Sequence, residues 1–234
     1  GHALIQGEFP AHVNDSGLTL MEDVAAFGTG NPDATVTGRR RLSDGKWHLV
    51  TATRSVDPEA RRAELKLYID GRLDAVGQSQ NTSPMTANKS FGIGRQYQTR
   101  GITGDIDDVR LYDSALSADE IAALFRRSDS RTPHAHYSFD GTIEDVAGDN
   151  DGRLIGTGEL KYVAGSTGGR ADRSLRFAND YGIEIPNSTP HNYTLSCWVR
   201  MDAPQPPPYG RGDFRLLDFS NPKLVAWLTD HIDE

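Results

Sequence analysis

Apolar and polar residues alternate with a period of two through most of the chain. In "AELKLYIDG" (63–71), Leu65, Leu67 and Ile69 fall on one face, and Glu64, Lys66 and Tyr68 on the other. "KWHLVTATR" (46–54) places Trp47, Leu49 and Thr51 on one side. "SFGIG" (90–94), "DDVRLYD" (107–113), "SLRFAND" (174–180), "YGIEIP" (181–186) and "YTLSCWVRM" (193–201) follow the same pattern. Each predicts a half-buried strand. Gly, Asn, Asp and Pro separate these runs, and Asp70-Gly71 suits a tight hairpin. Strict alternation puts Asp105 and Asp107 on one strand face and sends Asp108 to the other.

One segment breaks the period of two. In "SADEIAALF" (117–125), Ser117 is placed to cap a helix, and Glu120 to reach back to the Ser117 amide. Ile121, Leu124 and Phe125 then share a helical face. Many short strands and one short helix, at about 117–126, predict an all-β antiparallel sandwich. "FRRSDSRTPHAH" (125–136) is polar and reads as a linker. "DAPQPPPYGRGD" (202–213) is excluded from a central strand by its consecutive prolines and reads as an exposed loop.

Composition narrows the function classes. The 234 residues carry 25 Lys+Arg against 33 Asp+Glu, a net charge of −8, which argues against nucleic acid or an anionic membrane as partner. No stretch approaches the roughly 18 apolar residues of a membrane span, so membrane insertion is not expected. The single cysteine, Cys197, lies in an apolar run and reads as a buried small hydrophobe.

Ordered motifs carry a family resemblance. "LSDGKWHLVTATR", "LKLYIDGRLDAVG", "FGIGRQ" and "GDIDDVRLYDSALSADEIAALF" resemble the C-terminal half of a laminin-G-like, concanavalin A-like (pentraxin-related) jelly roll. "HAHYSFDGTIEDVAGDNDGRLIGTG", "GSTGGRADRSLRFANDYGIEIPN" and "YTLSCWVRMDAP" resemble the N-terminal half. The halves stand in reverse order. The sequence therefore divides into a C-terminal portion at 1–127, a linker at 128–135 and an N-terminal portion at 136–234. Two readings stay open: parts of two tandem repeats, or two halves completing one permuted sandwich. A half sandwich leaves open strand edges, so under the tandem-repeat reading a longer chain, or strand or half-domain exchange with neighbouring copies, supplies what is missing.

The resemblance implies a binding module. In such domains the Asp of the "FDG" motif and an acid of the "IDD" motif often hold a structural calcium, which makes Asp140, Asp107 and Asp108 the metal candidates. Oxygen-only ligands suit that cation. "DVAGDNDGR" (145–153) matches a calcium loop only in part and reads as a turn. The resemblance further implies a glycan or protein ligand and an extracellular or cell-surface setting. Tyr97, Tyr181 and Tyr209, each beside Gly or polar loop residues, are the candidates for stacking on a sugar. Trp47 and Trp198 read as core, as does Trp227, and His48 falls on the face opposite Trp47.

Catalysis finds little support. A retaining glycosidase needs two carboxylates about 5 Å apart, and "DIDDV" lacks the Glu-x-Asp-x-Glu run that would supply them. No G-x-S-x-G or H-E-x-x-H motif occurs. The expected function is a non-catalytic binding or adhesion module of a larger secreted or surface protein. The alternatives are an architectural spacer, or a module that targets a carbohydrate-active enzyme to its substrate. Asn81, Asn88, Asn187 and Asn192 open N-x-Ser/Thr sequons. "RGD" (211–213) is short enough to recur by chance.

Overall fold

A computed structural model describes residues 2–7, 14–85, 90–95, 101–186 and 191–206. The strands are β1 (His2–Gln6), β2 (Ser16–Met21), β3 (Val24–Thr29), β4 (Ala34–Thr37), β5 (Trp47–Asp57), β6 (Arg62–Ile69), β7 (Arg72–Ser79), β8 (Ser90–Ile93) and β9 (Thr103–Tyr112). The helix α1 (Ala118–Phe125) follows. Then come β10 (Ala135–Tyr137), β11 (Arg153–Gly156), β12 (Tyr162–Ala164), β13 (Arg173–Ala178), β14 (Tyr181–Pro186) and β15 (Tyr193–Arg200). Among the described residues all pairings are antiparallel and form two sheets, the antiparallel sandwich expected from the alternation and the jelly roll that the resemblance implies. One sheet runs β11-β14-β8-β1-β2-β3-β4; the other runs β12-β13-β9-β15-β5-β6-β7, with β10 beside β9.

Strands from before and after α1 share both sheets. β15 lies between β5 and β9, with Trp198 opposite Leu49 on one side and Asp107 on the other. β13 and β10 share the far edge of β9, β13 along residues 103–106 and β10 along 109–111. β14 pairs with β8 in the opposite sheet. Residues 128–134 return the chain from α1 to β9, where the His134 amide donates to the Leu111 carbonyl. Each portion therefore supplies strands that the other leaves without a neighbour, which satisfies backbone groups that would otherwise face water at an edge.

The main core fills the space between the sheets. Phe27, Val50, Leu67, Ile106, Val109, Leu175, Ile183, Leu195 and Cys197 are all buried there. Apolar enclosure pushes the Cys197 thiol up to about 12, so it behaves as a small hydrophobe. A second cluster lies on the outer face of the β9-β15-β5-β6 sheet. Leu49, Tyr68, Tyr112 and Trp198 meet Leu116, Ile121 and Leu124 of the helical segment. The capping box is formed: the Glu120 amide donates to Ser117 Oγ, and the Ser117 amide donates to Glu120 Oε2 at 2.8 Å. Thr194 Oγ1 accepts from the Leu116 amide and donates to the Ser114 carbonyl, which ties the helix entrance to β15. The hairpin between β6 and β7 turns on Asp70 and Gly71, at φ 51° and 75°, the left-handed conformation that such a turn requires.

Two tryptophans differ in position. Trp198 is buried under α1, with the Phe125 ring stacked at 5.7 Å. Trp47, expected in the core, stands only half-buried at the rim of the second cluster. The face it shares with Leu49 is the outer one, and the helix stops short of it.

Candidate functional site

β9 is bulged. The register to β15 shifts between Ser196 and Trp198, and Asp108 adopts a φ of 49°. Ile106 and Val109 both enter the main core, so the extra residue keeps Asp107 and Asp108 off the core side. Strict alternation had put these two acids on opposite faces; the bulge overturns that expectation.

The two acids meet different surroundings. Asp107 is buried, and its Oδ2 accepts from the Ser166 amide at 2.7 Å. Burial, with Asp172 and Asp108 as like charges, raises its carboxyl to about 6 against the Ser166 hydrogen bonds. Asp108 is surrounded by basic side chains. Its Oδ1 accepts from His136 Nε2 at 2.6 Å and Arg110 Nε at 3.0 Å, and Arg127 approaches Oδ2 at 3.4 Å. These donors hold its carboxyl below the ordinary carboxylate range in spite of burial. Asp140 is exposed, and its Oδ1 accepts from the Arg173 amide at 2.8 Å. Asp107 and Asp140 thus both reach the 165–173 segment between β12 and β13, one at each end.

Among the described residues, no group of three or more His, Cys, Asp or Glu side chains is arranged to hold a metal ion. Tested singly, Asp107 fits a hard cation: it is a desolvated carboxylate with like charges around it, and lone pairs remain beyond those facing Ser166. Asp140 fits as an exposed oxygen donor at the other end of the same segment. Asp108 does not, because both oxygens face arginine or histidine. The "DVAGDNDGR" stretch is a turn closed on itself: Asp145 accepts from the amides of His136, Ala147 and Asn150.

A second feature lies on the outer face of the same sheet. Asp105, buried on β9, is held between Arg176 of β13 and Arg200 of β15. Arg176 Nε donates to Oδ1 at 2.7 Å, and Arg200 Nε to Oδ2 at 3.0 Å. The Arg200 guanidinium lies 4.9 Å from the centre of the Trp47 ring, a cation–π contact. Thr103, Asp202 and Gln205 complete a groove of about 400 Å³ beside this pair.

A family model described as concanavalin A-like lectin/glucanases superfamily matches residues 4–122, about half of the chain. The chain belongs to this superfamily. The match covers the "DGKWH" to "SADEI" portion, while the residues after 122 join the same concanavalin A-like sandwich through β10 to β15. Neither curated proteins nor solved structures gave a match.

This concanavalin A-like fold places the aromatic candidates as follows. Tyr181 is a correction. It is buried at 2% exposure, its hydroxyl donates to the Arg176 carbonyl at 2.7 Å, and its ring stacks on Phe177 at 4.9 Å, so no face is open to a sugar. The signal was present: Tyr181, Ile183 and Ile185 are two apart on one strand and all face inward. Tyr97, Tyr209, Trp227 and the "RGD" lie outside the described residues. Of the sequons, Asn81 is buried and its amide donates to Asn14 at 2.8 Å; Asn192 is exposed; Asn88 and Asn187 lie outside the described residues. No helix among the described residues is long and apolar enough to cross a membrane.

Sequence reasoning missed the Arg176–Asp105–Arg200 groove. Its side chains come from three strands, and only the register of β13, β9 and β15 makes them neighbours.

Proposed function

We propose that this chain is a non-catalytic binding module that recognises a polar ligand, a glycan or a protein loop, at the outer-face groove beside Asp105. The observation that carries this is the groove itself: two arginines fixed by one buried carboxylate, with Trp47 at the edge. Aromatic surface beside pre-positioned donors suits sugar hydroxyls or a polar peptide. Superfamily membership agrees, since such domains are typically binding modules. The geometry disfavours hydrolysis at this spot. Both Asp105 oxygens accept from arginine, so the carboxylate anchors the two guanidinium groups rather than a ligand.

Calcium belongs to the same reading. Asp107 and Asp140, with carbonyls of the 165–173 segment, would hold the ion and brace the loop. A secreted or cell-surface setting, within a larger protein, follows from the same family reading.

A glycan array in calcium and in chelator, repeated with Arg200→Ala, tests the proposal. Binding lost with Arg200→Ala supports the groove, and binding lost in chelator supports the metal. A purified protein that binds nothing and only changes its melting temperature would instead be an architectural spacer.

A further inference from the structure

Among the described residues, Arg54 is the largest side chain that the fold buries completely. It stands on β5 directly across from Tyr193 of β15 and Leu65 of β6. Among the described residues its guanidinium donates only to main-chain carbonyls: Nη1 to His191, and Nη2 to Asn81 at 2.7 Å and Ser83 at 2.9 Å. Among the described residues, the titratable neighbour that acts on its charge is Tyr193, not a carboxylate. A full positive charge is thus removed from water without a counter-charge among the described residues, which is costly.

Three buried polar atoms gather at this place: Arg54 Nε, which has no hydrogen-bond partner, and Tyr193 Oη and Ser16 Oγ, which find no partner but each other. Ser16 and Arg54 are both neighbours of the Tyr193 hydroxyl. Ser16 opens β2 in the opposite sheet, so the three groups meet between the sheets at one end of the sandwich. Arg54 Nε can donate, and the Tyr193–Ser16 pair keeps one hydroxyl proton beyond the bond between them. Asp15, half-buried, acts on Tyr193 and not on Arg54.

We infer that Arg54, Tyr193 and Ser16 form an internal binding site for one small monovalent anion of halide size. A water molecule would satisfy the hydrogen bonds and leave the charge unbalanced. An anion accepts from Arg54 Nε and from the hydroxyl proton that the Tyr193–Ser16 pair leaves free, and neutralises the guanidinium as well. A polyatomic anion such as sulfate brings several more acceptors and a second charge, for which these few donors offer no match. The bound ion would hold together β5, β15 and β2, and through the Arg54 carbonyl contacts the segments at Asn81–Ser83 and His191.

The test exchanges sodium chloride for sodium gluconate at constant ionic strength and follows thermal unfolding. Binding to the native state alone predicts a saturable rise in Tm, about 3–6 °C at ten times the half-saturating chloride concentration. Tyr193→Phe removes one donor with little change of shape, and raises the half-saturating concentration about tenfold. A crystal soaked in sodium bromide shows an anomalous peak within hydrogen-bond reach of Arg54 Nε and Tyr193 Oη. Equal Tm in both salts, or only a water at that position in the bromide crystal, overturns the inference. Since Arg54→Met exposes three carbonyls and can fail to fold, Tyr193→Phe and the bromide crystal carry the decision.

Discussion

Ile106 and Val109 both face the main core although they stand three positions apart on one strand. The bulge between them moves Asp107 and Asp108 out of the apolar interior, to where each meets a polar loop or a cation.

Asp107 is the first test of that arrangement. Its folded carboxyl titrates near 6, above its unfolded value, so its neutral form is favoured in the fold. The stability it contributes is present below about pH 4 and is lost as pH rises through about 6. Asp107→Asn keeps the shape and removes the charge. It is expected to raise stability at pH 8 in chelator, by on the order of 2 kcal/mol. Added calcium should stabilise the wild type and not the variant. Urea denaturation of both proteins, with and without calcium, checks both statements.

The shared sheets make a second prediction. A fragment that stops at residue 127 leaves β9 without β10, β13 and β15, and leaves β5 open on its β15 side. It should show no cooperative melting as a monomer, and should regain structure when mixed with a 130–206 fragment. A monomeric, cooperatively melting fragment 1–127 would instead mean that the first portion is self-sufficient. Within the whole chain, Leu195→Ala should cost about 2–5 kcal/mol in chemical denaturation.

His48 lies between two carboxylates. Nδ1 is 2.9 Å from Asp70 Oδ2, and Nε2 is 3.1 Å from Asp44 Oδ1. The Asp70 hydrogen bond, opposed by burial, raises the imidazole above its ordinary value. The charged form is therefore stabilised by folding. That contribution is complete below about pH 6.5 and is lost as pH rises through the raised folded value. The melting temperature of the wild type should fall across this window, and His48→Gln should flatten the profile.

The helix cap gives a fourth test. Ser117→Ala removes the acceptor of the Glu120 amide and should cost about 1 kcal/mol. Because α1 covers Trp198, the loss should appear as a change in tryptophan fluorescence at lower denaturant than in the wild type.

The strands at 63–69, 107–112 and 193–200 were legible because each has a whole apolar face, and burial on one side writes a period of two into the chain. The same period held the signal for Tyr181, whose inward companions Ile183 and Ile185 outweigh the glycine beside it. The short strands β10 and β12 were not legible. Three residues are too few for a period, and they are strands only because β9 and β13 offer them hydrogen-bond partners.

The candidate site was legible in part. "IDD" and "FDG" marked Asp107 and Asp140, and the structure brings both to the 165–173 segment. It gives Asp108 to Arg110 and His136 instead, because a bulge cannot be read from alternation: the acid that alternation assigns to the core is also the one that the extra residue turns outward.

By itself the sequence determined the sandwich, its apolar faces and the capped helix. These depend on local spacing and side-chain type. Only the tertiary structure decided that β15 enters between β5 and β9, that Asp105 is held by Arg176 and Arg200, and that Arg54 meets Tyr193 and Ser16 in the interior. Those depend on cross-strand register between segments far apart in the chain, and register follows from the fit of complete apolar faces rather than from any single motif.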